Sequence, residues 1–211
     1  MDPKDIVRSG YDRVSRAYRG DEVNAEEAAK YAAWIDALIE RIGPPGDVLE
    51  LGCGNGVPTA RLLIEAGYRV TGVDISPVQI ERARQLVPAA EFECADMTQL
   101  QFAEKRFSAI VSLYAIIHVP VAEQPGLLRK IRAWLKPGGI LLIIVGATAW
   151  TGTEENWLDV AGAAMYWSHA DAATYTAWLT SAGFSVEWSQ FVPEGDGGHT
   201  LILARASGAT P

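Results

Sequence analysis

A chain of 211 residues, 49% of them hydrophobic, has room for one domain with a substantial core. Its 26 acidic and 18 basic side chains leave a formal charge of −8 without a cationic cluster, which disfavours a nucleic-acid partner because neutralising phosphates needs lysine and arginine. No apolar run is long enough to span a bilayer, residues 1–5 lack a signal-peptide layout, and Cys53 and Cys94 lack CxxC spacing, so a reduced, cytoplasmic, metal-free protein acting on small molecules is expected.

Residues 5–19 and 25–42 read as two helices ahead of any strand. In the second, Ala28, Tyr31, Ala32, Ile35, Leu38, Ile39 and Ile42 recur at helical spacing until Gly43-Pro44-Pro45-Gly46 stops it. Strands and helices then alternate. Strand 48–51 leads to a helix near 58–66, and strand 69–73 to a helix near 77–87 with Ser76 as N-cap and Pro77 at its first position. Strand 90–94, a loop around Asp96 and strand 107–113 follow. A helix near 122–135 then turns through Lys136-Pro137-Gly138-Gly139 into strand 140–146. Residues 147–170 fit no clean element, and a helix near 171–182 with strands near 184–192 and 199–205 ends the chain. The order predicts an α/β, doubly wound, mostly parallel sheet with helices on both faces, whose ligands lie beyond the carboxyl ends of the strands.

The stretch Val48-Leu49-Glu50-Leu51-Gly52-Cys53-Gly54-Asn55-Gly56 is a buried strand ending in an acid and a glycine-rich turn. Glycines there let the backbone approach a bound molecule closely. About 20 residues on, the strand Tyr68 to Val73 ends in Asp74, placed to accept hydrogen bonds from both hydroxyls of a ribose. The spacing Gly52-x-Gly54-x-Gly56 departs from the G-x-G-x-x-G of dinucleotide enzymes. Glu50 would repel a pyrophosphate but suits a cationic ligand such as the amino and sulfonium region of S-adenosylmethionine.

Four segments, Val48 to Gly56, Val70 to Ser76, Cys94-Ala95-Asp96-Met97 and Leu135 to Leu141, resemble in order and spacing the motifs of class I S-adenosylmethionine-dependent methyltransferases. The resemblance runs from about Tyr11 to Arg205 and implies a Rossmann-like seven-stranded sheet, with a helical lid over 1–45, a core over 46–206 and a tail over 207–211. It implies that Glu50, Gly52, Cys53, Gly54, Asn55 and Gly56 shape the methionine end of the cofactor site. Asp74 would hold the ribose, with Ile75 on the adenine and Ser76 and Gln79 at the following helix. Asp96 would accept from the adenine amine beside Met97, and Leu113 and Tyr114 would flank the transferring methyl. Tyr11-Asp12-x-x-Ser15-x-x-Tyr18 resembles the lid signature of small-molecule members, in which those tyrosines close over the cofactor. Simpler readings stand beside these: Gly52 and Gly54 as turn residues, Asp74 as a helix cap, Asp96 as a turn carboxylate, Cys53 as a small core filler, and Tyr11 and Tyr18 as one packed helical face.

Methyl transfer from a sulfonium is an in-line displacement that needs alignment and exclusion of water, with a base only for some nucleophiles. His118, just past the fourth strand, is the candidate base and acceptor contact, with a structural role as its rival. Met165, Tyr166 and Trp167 suit an apolar or aromatic acceptor. A capping box of Ser168 and Asp171 accounts for His169, and His199 reads as structural. Ser112-Leu113-Tyr114-Ala115 stands where base-modifying enzymes carry Asn/Asp-Pro-Pro-aromatic, and no carboxylate cluster for a metal assembles near this rim. The expected activity is O- or N-methylation of a small organic molecule. Its rivals are an NAD(P)-dependent reductase and a non-catalytic nucleoside-binding module of the same fold.

Overall fold

The computed structural model describes residues 2–208, so of the expected tail only its start falls within the described residues. Two helices come first, α1 (Pro3–Tyr18) and α2 (Ala25–Ile39). Asp2 caps α1 by accepting the Lys4 N–H, and Asn24 caps α2 by accepting that of Glu27. The alternating region follows as β1 (Asp47–Leu51), α3 (Thr59–Glu65), β2 (Arg69–Asp74), α4 (Pro77–Leu86), β3 (Glu91–Cys94), β4 (Phe107–Ser112), α5 (Gln124–Trp134) and β5 (Leu135–Gly146). Then come β6 (Trp150–Glu154), β7 (Met165–His169), α6 (Ala172–Ser181), β8 (Phe184–Glu194) and β9 (Gly197–Ala206).

Seven strands form one sheet in the order β3-β2-β1-β4-β5-β9-β8, with β1 to β5 parallel and β9 and β8 added antiparallel. Its middle strands read as near-continuous apolar runs because both faces are covered. Val48, Val111, Leu142 and Leu203 pack on one side with Ile35, Leu38, Leu63 and Ile80 of the helices. Leu49, Ile110, Ile143 and Ile202 pack on the other with Leu128, Ile131, Tyr175 and Leu179. Strand order reverses between β1 and its neighbours β2 and β4, which opens a crevice at their carboxyl ends.

The structure corrects three expectations. Helix α2 stops at Ile39, short of the expected 42. The unassigned stretch 147–170 holds a separate hairpin, β6 with β7, which presents Trp150 and Trp167 on a small two-stranded sheet. Ser168 lies inside β7, where its hydroxyl meets the Val121 N–H and Thr151, so it caps no helix; Asp171 alone caps α6 by accepting the Thr174 N–H. Serine in a strand is free to bind across the hairpin because its side chain points away from its own backbone.

The lid helix is fastened to the core by one buried cation. Arg82 of α4 donates to the Ser15 carbonyl and hydroxyl, both at 2.7 Å, and to the Arg19 carbonyl and the Asp21 carboxylate at 2.9 and 2.6 Å. It thereby adds a second donor to the Ser15 carbonyl, which already accepts the Arg19 N–H, and satisfies the Arg19 carbonyl just past the end of α1. Replacing Arg82 with Met keeps the bulk and removes every donor. We expect Arg82→Met to cost about 2–4 kcal/mol and to lower the melting temperature by about 5–15 °C in a circular-dichroism melt; an unchanged melt would deny the clamp its role.

Candidate active site

The site grows from the ends of β1 and β2. Gly52, Gly54 and Gly56 all have positive φ, at 75°, 53° and 77°. At Gly52 a side chain is also sterically barred, since a Cβ there would lie 2.1 Å from the Ala115 Cβ. The Gly52 and Cys53 N–H groups donate to the Val73 carbonyl. Asp74, at the tip of β2, accepts the Gly54 N–H on one oxygen and the Ser76 N–H on the other, each at 2.9 Å. Burial pushes its carboxyl up to about 6, against the pull of these N–H groups. Each oxygen keeps an unused lone pair for a ligand hydroxyl.

Three joined compartments open from this turn. The first is lined by Asp74, Ile75, Asp96, Met97 and Leu113 under Tyr11 and Val7 of α1. The second shares Gly52, Gly54 and Gln79 with the first and runs to Glu50, Asn55, Arg19 and Tyr31. The third shares Tyr11, Tyr114 and His118 with the first and is walled by Trp157, Trp167, Glu194 and His199. Tyr18 borders all three.

The electrostatics of the second compartment are unusual. Glu50 is 4% exposed, and its Oε2 is buried without a hydrogen-bond partner. Burial raises its carboxyl to about 8, while the Thr59 hydroxyl and the Arg19 guanidinium pull the other way. A buried carboxyl with a free oxygen is a fitting receptor for a cationic group, whose arrival would favour the ionised form. Arg19, next to it, is paired with Glu27 at 3.1 Å and donates to the Tyr31 hydroxyl.

At the junction, His118 sits in a 3-10 turn, Ile116–His118, with both ring nitrogens engaged. Its Nδ1 lies 2.7 Å from the Tyr166 carbonyl and its Nε2 2.9 Å from the Tyr11 hydroxyl. A carbonyl can only accept, so Nδ1 carries the proton and Nε2 accepts from Tyr11. Burial lowers the imidazole to about 4, which keeps it neutral. Tyr11 stands edge-on to Tyr18, His118 and Trp157, a cage of aromatic rings between the first and third compartments. At the other rim, Lys4 of α1 binds Asp96 at 2.9 Å and Glu123 at 2.6 Å.

Most residues expected at the cofactor line these compartments. Gly56 and Ser76 do so only indirectly: a Cβ on Gly56 would press on Phe92, and Ser76 is a buried cap of α4 whose hydroxyl donates to Asp12. Cys53 borders the second compartment as a buried thiol, pushed well up by desolvation. Of the segment expected at the acceptor, only Trp167 faces the third compartment. Met165 is fully buried, its methyl near Gly10 of α1, and Tyr166 contributes its carbonyl to His118. His199, expected to be structural, lines the cavity, because β9 starts at the rim beside Gly146. Sequence reasoning missed Arg19, Lys4, Lys30, Trp157 and Glu194. Arg19 had one local signal, its place directly after the lid tyrosine. Among the described residues, no three His, Cys, Asp or Glu side chains are grouped to hold a metal ion, and no helix is long and apolar enough to cross a membrane.

Comparison with known proteins adds family to geometry. Residues 48–139 match the model of the methyltransferase domain family. The chain is 34% identical over 188 residues to phosphoethanolamine N-methyltransferase 1 of Triticum aestivum, covering 87% of this chain and 37% of that protein. It is 36% identical over 104 residues to the 2-methyl-6-phytyl-1,4-hydroquinone methyltransferase of Synechocystis, covering 47% of this chain and 32% of that one. The chain thus spans about a third of the length of these relatives. The fold is that of magnesium protoporphyrin IX methyltransferase from Synechocystis, solved with bound S-adenosylhomocysteine, at a TM-score of 0.73 and 21% identity over 98% of this chain and all of that one.

Within the matched segment, Glu50 has a measurable cost. Its folded pKa lies above the ordinary glutamate value, so its contribution to stability is present at low pH and is lost as pH rises towards about 8. Glu50→Gln cannot ionise. We expect the ligand-free variant to gain on the wild type as pH rises from about 6 to 9, by about 1–3 kcal/mol at the upper end. Paired thermal melts across that range would show it, and a difference that stays flat would contradict the buried, proton-holding carboxyl.

Proposed function

We propose that this chain, a member of the class I S-adenosylmethionine-dependent methyltransferases, moves a methyl group from that cofactor to an O or N atom of a small organic molecule by in-line displacement. The observation that carries the reading is the run of three joined compartments: Asp74 in one arm, the unpartnered oxygen of Glu50 in the second, and an aromatic cavity that meets the first at Tyr114 and His118 and the second at Arg19 and Tyr31. The cofactor, when bound, supplies a methyl group already activated on a sulfonium. The residues fit it. Asp74 would take the ribose hydroxyls with its free lone pairs, and Ile75 and Met97 would flank the adenine. Asp96 would accept from the exocyclic amine while Lys4 holds it in place. Glu50 would take the ammonium, and the Gly52 to Gly56 turn would let the chain approach the methionine part.

The chain's own work in the reaction is alignment and exclusion of water. Tyr11, Tyr18 and Trp157 close the junction with ring faces and edges. His118, neutral and bonded to both Tyr166 and Tyr11, fixes the lid tyrosine at the point where acceptor and cofactor meet. The relatives named for phosphoethanolamine and a hydroquinone favour a small acceptor. The acidic surface and the absence of a cationic cluster argue for neither a nucleic acid nor a lipid surface as partner. Free Cys53 and Cys94 suit a reducing compartment such as the cytoplasm.

Calorimetry tests the cofactor. S-adenosylmethionine and S-adenosylhomocysteine should bind with a Kd of roughly micromolar order, while NADH and NADPH should give no heat. Asp74→Asn, which keeps the shape and removes the charge, should weaken both sulfur nucleosides about 10- to 100-fold. Binding of the nicotinamide nucleotides alone would replace this reading with a reductase.

A further inference from the structure

The third compartment holds a histidine that the cofactor chemistry leaves unused. We infer that His199, oriented by Glu194, accepts the proton of a hydroxyl group on a planar aromatic acceptor, so that the site performs O-methylation. This rests on the methyltransferase reading above and names the acceptor for it.

The pair arises from the β8–β9 hairpin. Val192 and His199 are paired across it, and Glu194, two residues on, presents its side chain to the same face as the diagonal neighbour. The His199 Nδ1 is buried and lies 3.1 Å from the Glu194 carboxylate as a close ion-pair contact, not yet aligned as a hydrogen bond. A carboxylate can only accept, so it favours the tautomer with the proton on Nδ1 and leaves the Nε2 lone pair bare. Among the described residues Nε2 has no hydrogen-bond partner, and the ring lines the cavity edge-on to Tyr114, with centroids 5.4 Å apart. Tyr114 also borders the cofactor compartment, which sets His199 one ring away from the junction. His118 is a poor rival, since both its nitrogens are engaged and burial depresses its basicity.

The groups facing His199 are Glu194 of β8, Tyr114 after β4, His169 of β7 with ring centroids 6.3 Å away, and Lys30 of α2 over the Tyr114 ring. The His169 Nδ1 is held by the Thr148 carbonyl, and Glu27 is held by Arg19, so neither competes for the pair. Trp157 and Trp167, 5.5 Å apart, give the cavity flat aromatic walls. In the step itself, the acceptor oxygen gives its proton to Nε2 and forms the new O–C bond. The C–S bond breaks with its electron pair passing to sulfur, which leaves a neutral thioether and an imidazolium facing Glu194. Solvent then takes the proton.

The test uses 2-naphthol, which keeps its proton near neutral pH, beside 2-naphthalenethiol, which largely loses it and needs no base. Methyl transfer to each is followed on wild type, His199→Asn and Glu194→Gln, with S-adenosylhomocysteine binding as the check on folding. The proposal expects kcat/KM for the naphthol to fall by about 10²- to 10⁴-fold in His199→Asn and less in Glu194→Gln, with the loss confined to the naphthol. A second readout needs no turnover: in nitrogen-15 NMR of labelled histidine, above the usual histidine range, His199 should show a protonated Nδ1 and a bare Nε2. Equal losses for both acceptors, an unaffected naphthol or the opposite tautomer would overturn the assignment while leaving the methyltransferase reading intact. Transfer to neither acceptor together with no binding of S-adenosylhomocysteine would overturn both.

Discussion

Two peptide N–H groups, from Gly54 and Ser76, end on the single carboxylate of Asp74, and the geometry of the site follows from that convergence. One belongs to the glycine turn after β1 and the other to the cap of α4, so Asp74 ties two crossovers of the sheet at the point where strand order reverses. The Val73 carbonyl reinforces the tie by accepting from Gly52 and Cys53. The same junction reaches the lid, because Ser76 receives the Gln79 N–H and donates to Asp12 of α1. Removing the carboxylate would leave buried donors unpaired, each at a cost of about 1–3 kcal/mol. The position therefore serves the ligand-free fold: Asp74 is not itself the cap of α4 but holds Ser76, which is, and the ribose role proposed for it is compatible with that duty.

Attachment of the lid is graded along α1. At its carboxyl end, Arg82 is 6% exposed and gathers four contacts, and Ser15 adds a buried bond to Gln79. At its amino end, Lys4 meets Asp96 and Glu123 where water competes, Glu123 being 42% exposed. Partly exposed ion pairs stabilise by only about 0–1 kcal/mol, whereas breaking a buried network costs several times that. The energetic order places the easily released end over the first compartment and the fixed end beside the glycine turn. Tyr11, between them, is held by a hydrogen bond to His118.

How far the sequence reveals the site depends on how local each part is. Glu50, the glycines, Asp74 and Asp96 were legible because each sits within a few residues of a strand end, and strand order alone brings strand ends together. The lid tyrosines were legible through their spacing, although the contacts of Tyr11 with His118 and Trp157 were not. The stretch 147–170 hid a hairpin because its tryptophans and glycines carry no clear period, and its 3-10 turn depends on left-handed backbone at Asn156 and Leu158. His199 read as structural and Glu194 went unnoticed for a related reason: a histidine opening a strand declares neither which face it takes nor what stands across the sheet.

That division has a physical basis in what each half must recognise. A cofactor of fixed shape is met by backbone N–H groups and carboxylates at positions the sheet topology dictates, so the residues needed are few and their spacing recurs. The cavity proposed for the acceptor is lined instead by side chains from α1, α2, the turn after β4, the β6–β7 hairpin and the rim of β8–β9, five segments joined only by tertiary packing. In this chain, packing brings an aromatic cage, the Lys30 cation over the Tyr114 ring and a histidine–carboxylate pair to one cavity. Two histidines then differ in role by environment alone. His118, desolvated and bonded at both nitrogens, is held neutral as a strut, while His199, with one nitrogen facing a carboxylate and the other free, keeps the lone pair that proton transfer requires.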